Sequence, residues 1–164
     1  MGKWRRAWRW SDEDGSAIVE FLGMSLLLLV PLIYLVLAMS RVQAGAYGAE
    51  FAAREAARGA TVAGVDSLES GSTVAHALTD ARKRGDAVAF LAAEDFGFDP
   101  ARDLSTSYAC SATPCFAPGS DVVATAVITV DLPGVPSFVQ SWIPLHVTVQ
   151  STSAAAVDGY ASGS

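Results

Sequence analysis

The chain has 164 residues and a formal net charge of −6, with 51 % hydrophobic residues, two cysteines and two histidines. From Val42 onward it carries six basic against thirteen acidic side chains, a balance that excludes a nucleic-acid partner, which calls for a basic face. There is no Asn, hence no N-glycosylation acceptor, and the Ala-, Arg- and Asp-rich, Lys-poor composition is that of a high-GC bacterial genome.

In chain order, a basic, aromatic segment comes first, with Lys3, Arg5, Arg6 and Arg9 among Trp4, Trp8 and Trp10. Phe21 to Met39 follows without a charged residue. A bilayer core of about 30 Å needs roughly 20 apolar residues in a helix, so this run is long enough to span one. Arg41 is the only basic residue close behind it, and the charge asymmetry puts the N-terminus in the cytoplasm and the rest outside. The resulting division is a cytoplasmic leader over 1–15, a transmembrane helix over 16–40 and an extracytoplasmic domain over 41–164.

Helix formers continue from Val42 to Ala60, with Ala49, Ala53 and Ala57 as a ladder of small residues at four-residue spacing. Glu50 and Arg54 form an i,i+4 pair, and Tyr47 and Phe51 share a face. Gly45, Gly48 and Gly59 weaken this helix by about 1 kcal/mol each relative to Ala, and Pro31 predicts a kink within the span. The Gly64–Gly71 stretch reads as a loop. A second helix is predicted from Thr73 to Asp95, with Val74, Leu78, Ala81, Val88 and Leu91 on its apolar face, ending at Phe96-Gly97-Phe98-Asp99-Pro100.

Period-two alternation marks three strands. Leu104, Thr106, Tyr108 and Cys110 line one; Val122, Ala124, Ala126, Ile128 and Val130 a second; Ile143, Leu145, Val147 and Val149 a third. Ala154 to Ser164 reads as a loose tail. The predicted fold class is α+β: a long N-terminal transmembrane helix running into an ectodomain with a second helix and a small antiparallel sheet. Outside the membrane, Cys110 and Cys115 at C-x4-C read as a small-loop disulfide. The zinc alternative needs two more ligands, and His76 and His146 stand at no recognised spacing.

Immediately before the span stands Asp12-Glu13-Asp14-Gly15-Ser16-Ala17-Ile18-Val19-Glu20-Phe21. A carboxylate entering an apolar helix is costly if it goes deep, so a Gly followed five residues later by Glu, an aromatic residue and a long apolar helix is a specific combination. Here the sequence resembles type IV pilin-like proteins, and within them the TadE-like pseudopilins of Flp/Tad pilus systems. In that family a prepilin peptidase cuts after the Gly, and the Glu becomes the fifth mature residue. The resemblance assigns Gly15 and Ser16 to processing and Glu20 and Phe21 to assembly. It extends through Ala52–Arg58 and the two late strands joined by the Pro133–Trp142 loop. It departs from the family in lacking an aromatic-acid ending after the last strand and in the three acidic residues before Gly15.

What the resemblance implies is a minor pilin or assembly component of a Tad-type pilus or related secretion apparatus. Its partners are the membrane, other pilin-like subunits, pilus assembly proteins and a prepilin peptidase. No nucleophile–His–acid setting, phosphate-binding glycine loop or H-E-x-x-H occurs, so no catalytic residue, metal or cofactor is assigned and an enzyme is not expected. Two alternatives stand beside this reading. One is a single-span membrane protein with an exported binding ectodomain. The other is a secreted protein whose first helix is a signal peptide cut at Ala44-Gly45-Ala46.

Overall fold

The computed structural model describes residues 13–134 and 146–158, with side chains from Ala17. Its elements are α1 (Glu13–Glu69), α2 (Val74–Asp95), α3 (Pro100–Asp103), β1 (Leu104–Cys110), β2 (Asp121–Asp131) and β3 (His146–Ala156). The chain divides into two compact units, Met1–Leu37 and Ala38–Ser164. In the first, α1 runs unbroken through Pro31, and its large apolar side chains are exposed on every side. The segment is long and apolar enough to cross a membrane.

The second unit is α+β, as its alternation and periodicity predict. β1, β2 and β3 form an antiparallel sheet in that order. Leu104 stands opposite Ile128 and Cys110 opposite Val122, while Asp121 pairs with Ala156 and Asp131 with His146. In the central strand Val122, Ala124, Ala126, Ile128 and Val130 are all buried, because a period of two puts them on the face that meets the helices.

Against that face α1 lays a stripe of Ala49, Ala52, Ala53, Ala56, Ala57 and Ala60, all essentially inaccessible. Their three- and four-residue steps keep them on one side of the helix. The glycines that weaken α1 as an isolated helix lie in the same seam. A Cβ on Gly45 would come within 2.3 Å of Val130 Cγ2, and one on Gly59 within 3.0 Å of Val88 Cγ2. Local propensity is given up for close approach. The alanine ladder is therefore consumed inside the second unit, packed within its core rather than left open to a neighbouring helix.

Three further expectations are corrected. First, α1 does not stop at Gly64 but reaches Glu69, because Val65 and Leu68 pack beside Cys115 and Phe116. The stop is Gly71, at φ +83°: its N–H donates to Leu68 O at 2.9 Å, and Ser72 N–H to Ser67 O at 3.1 Å. This is the two-bond left-handed cap that glycine favours.

Second, α2 starts as predicted, with Thr73 Oγ1 accepting from the His76 N–H at 3.3 Å, but its buried face is Ala77, Ala81, Gly85, Ala89, Ala92 and Ala93. Val74 and Leu91 are exposed, since the space beside α1 and β1 admits only small side chains. Third, Ala154–Ala156 belong to β3 and Val157 is buried, its N–H donating to Ser120 O at 2.8 Å. Tyr47 and Phe51 line one recess, as their shared face predicts, and Phe51 also packs with Phe96, ring centroids 6.2 Å apart. Ile143, Leu145, most of the Pro133–Trp142 loop and the end of the tail lie outside the described residues.

The seam is testable at Gly85, where a Cβ would meet Tyr108 Oη at 2.5 Å and its ring at 2.8 Å. Gly85→Ala should lower stability by about 1–3 kcal/mol, although Ala favours a helix by about 1 kcal/mol. Chemical denaturation showing a stabilised variant would contradict this packing.

Candidate functional site

Of the residues singled out by sequence, Gly15 and Ser16 lie in the helical backbone at the start of α1, their side chains outside the described residues. Glu20 and Phe21 stand one turn further on, both exposed. Between Ala17 and Ser40 Glu20 is the only charged residue. Among the described residues it makes no ion pair within 4 Å. Its neighbours Val19 and Phe21 are each 70 % exposed, so the carboxylate sits on an apolar, exposed helix surface.

In the second unit, Cys110 and Cys115 are joined in a disulfide with Cα atoms 5.5 Å apart, within the ordinary range for such bridges. The bond ties the end of β1 to the loop before β2 and removes both sulfurs as zinc ligands. Among the described residues no cluster of three His, Cys, Asp or Glu side chains is placed to hold a metal ion. His76 is exposed, its Nε2 3.5 Å from Asp80 Oδ2, and Asp80 also accepts from Ser67 Oγ at 3.0 Å. His146 is exposed at the start of β3.

Two carboxylates organise the polar side of the fold, and neither stands out in the sequence. Asp86 Oδ1 accepts from Thr106 Oγ1 at 2.6 Å and from Tyr108 Oη at 2.9 Å, clamping α2 to β1. Burial, and then the Asp86 carboxylate, push the Tyr108 phenol well above its ordinary pKa. The one signal that points to this contact is Gly85, the single glycine within α2.

Asp103, buried at the end of α3, accepts from Arg102 Nε at 2.8 Å and from the Asp99 N–H at 3.1 Å. Arg102 reaches Asp131 as well, at 3.4 Å. The Arg102 hydrogen bond, reinforced by the Asp99 backbone and by the charges of Arg102 and Arg41, holds the Asp103 carboxyl below its usual range against the opposing effect of burial. Arg41, the first basic residue after the apolar run, lies over the Phe98 ring at 5.2 Å from its centroid, a cation–π contact.

No family model, curated protein or solved structure matches the chain.

Because the folded-state pKa of Asp103 is depressed, its contribution to stability is present above the unfolded value of about 3.9 and is lost as pH falls through the folded value. Asp103→Asn should therefore cost about 1–3 kcal/mol at pH 7, the range for an impaired buried hydrogen-bonded charge, and the gap to the parent should shrink below about pH 3. A gap that stays constant from pH 7 to pH 2 would dissociate the effect from the carboxylate's charge.

Proposed function

We propose that this protein is a non-enzymatic, pilin-like subunit: a minor pilin or assembly component of a Tad-type pilus or related secretion apparatus. It is held in the bacterial membrane by α1, with its N-terminus cytoplasmic and its α+β unit outside. The observation that carries the reading is the combination at the head of α1. Gly15, Glu20 and Phe21 stand in the spacing of the TadE-like pseudopilins, and the helix they open exposes Ile18, Leu22, Leu26, Ile33 and Met39 alike, each by half or more. Exposed apolar surface on that scale calls for a bilayer or partner helices. The Cys110–Cys115 disulfide suits an oxidising, extracytoplasmic compartment.

In this reading a prepilin peptidase cleaves after Gly15 and leaves a positive amine on Ser16. An unpaired carboxylate and an unpaired ammonium are each costly near the bilayer. Docking of neighbouring α1 helices pairs the amine of one subunit with Glu20 of another. Because the Ala49, Ala53 and Ala57 ladder is buried, the helix–helix contact falls to the Ile18–Met39 segment.

The alternative of a signal peptide cut after Ala46 fits less well. It would strip away Gly45, which packs against Val130, and Ala44, which packs with the cluster of Phe98 and Ile128. An uncleaved single-span anchor carrying a binding ectodomain leaves the joint spacing of Gly15, Glu20 and Phe21 unexplained. N-terminal sequencing of the natural protein separates the three, with Ser16, Met1 or Tyr47 as first residue.

Glu20→Gln keeps shape and removes charge. It should reach the membrane at normal level yet reduce pilus assembly or secretion by tenfold or more, on the order of the 1.5–3 kcal/mol of a charged hydrogen bond. Unchanged assembly would make Glu20 an ordinary interfacial residue. A reporter fused after Ser164 should signal from outside the cell, and a cytoplasmic signal would overturn the orientation.

A further inference from the structure

The ectodomain contains a groove that the assembly reading does not use. It lies between α2 and the disulfide-closed loop, with Ala60 of α1 and Val122 of β2 also lining it, and has a volume of about 500 Å³. Val74, Leu78 and Ala81 form one wall, and Pro114 and Phe116 the other. That volume falls within the range of small-molecule sites, which are apolar with a few placed polar groups.

The charged group on its lining is Arg82. Among the described residues its guanidinium has no carboxylate within 4 Å. Asp86, one turn along α2, is engaged by Thr106 and Tyr108. Tyr108, which also lines the groove, directs its hydroxyl to the same carboxylate. Asp86 keeps its charge and lines a neighbouring recess together with Arg82, but on the groove itself Arg82 is the charged side chain, which suits an anionic head on an apolar body.

We propose that this groove binds a single-chain aliphatic carboxylate, with the alkyl chain along Leu78, Pro114 and Phe116 and the carboxylate at Arg82. A peptide fits less well, because each of its backbone N–H and C=O groups would need a partner and the walls are mainly apolar side chains. An alkyl chain needs none. Ala60 lies roughly 33 Å along α1 from Ala38, where the second unit begins, at 1.5 Å per residue. The ligand is therefore a free amphiphile that reaches the domain through solvent, not a lipid still seated in a bilayer.

The test uses the full chain in phosphatidylcholine nanodiscs, photolabelled with a diazirine-bearing dodecanoic acid, with adducts mapped by mass spectrometry. Adducts should fall on residues 74–82 and 110–116. Excess dodecanoate should compete for them at least tenfold better than dodecanol. Arg82→Gln, a change at an exposed position, should cut groove labelling roughly tenfold, as expected when a charge-assisted hydrogen bond is lost, whereas Lys83→Gln should leave it unchanged. The proposal is overturned by adducts confined to Phe21–Met39, by equal competition from dodecanol, or by equal labelling of the Arg82→Gln protein.

Discussion

The second unit depends on how closely α1 approaches the sheet. Six alanines and three glycines of α1 face β2 and α2 with nothing larger than a methyl group, and the sheet supplies the bulk in return. Ile128 and Val130 are the largest fully buried side chains, and each stands opposite a glycine of α1, Ile128 at Gly48 and Val130 at Gly45. Such a seam fixes register, because a shift of one residue along α1 would put a Cβ where a Val or Ile methyl group already sits. It also limits the energy available. A buried alanine removes far less apolar area from water than a leucine, at roughly 25 cal/mol per Å². The remainder comes from plugs at the ends of the seam. Phe98 fills one end and Phe116 the other, and the six-residue disulfide loop contributes about 2 kcal/mol on the chain-entropy account.

The same helix obeys two opposite rules along its length. From Ile18 to Met39 its apolar residues are mostly large and point to every side, the pattern of a helix whose surroundings are apolar all round. From Ala44 the buried residues are small and confined to one stripe, and Glu50, Arg54, Glu55 and Arg58 occupy other positions around the helix. Near the change stands Arg41, whose guanidinium covers Phe98. A cation there both ends the apolar run and completes the packing of the second unit's core.

Where the sequence was legible, one physical signal outweighed its competitors. The alternation in Val122–Val130 names the buried face of β2, since every second residue is apolar while Thr125 and Thr129 interrupt the other face. Thr73 and Gly97 mark the start and end of α2 because capping chemistry is local. The misreadings share another cause. Gly64 reads as a helix stop, yet it is there to admit the Phe116 ring, which its Cβ would meet at 2.3 Å. Leu91 reads as core because it is more hydrophobic than Ala89 and Ala92, but the seam selects for size before hydrophobicity. Ala154–Ala156 read as tail because small side chains carry little pattern, while backbone pairing with Asp121–Val123 holds them in β3. Asp86 and Asp103 look like any surface acid until the fold brings Tyr108 and Arg102 to them.

The motif proposed for assembly is legible for the opposite reason. Among the described residues none pairs with Glu20, and it interrupts an otherwise uncharged stretch from Ala17 to Ser40. A residue that stabilises its own fold leaves a trace in contacts, as Asp103 does. A residue that only costs its own chain must be balanced elsewhere. A carboxylate at the centre of a bilayer costs about 2.5–3.5 kcal/mol on insertion scales, and less toward the helix end. That is small enough for one copy to insert alone, and large enough to favour whatever arrangement sets a cation beside it. The internal use of the Ala49–Ala57 ladder sharpens this. In the proposed assembly, with the small residues committed to the sheet, the large side chains of the apolar segment offer mainly non-directional packing, and Glu20 is the group in that segment able to fix the stagger between neighbouring helices.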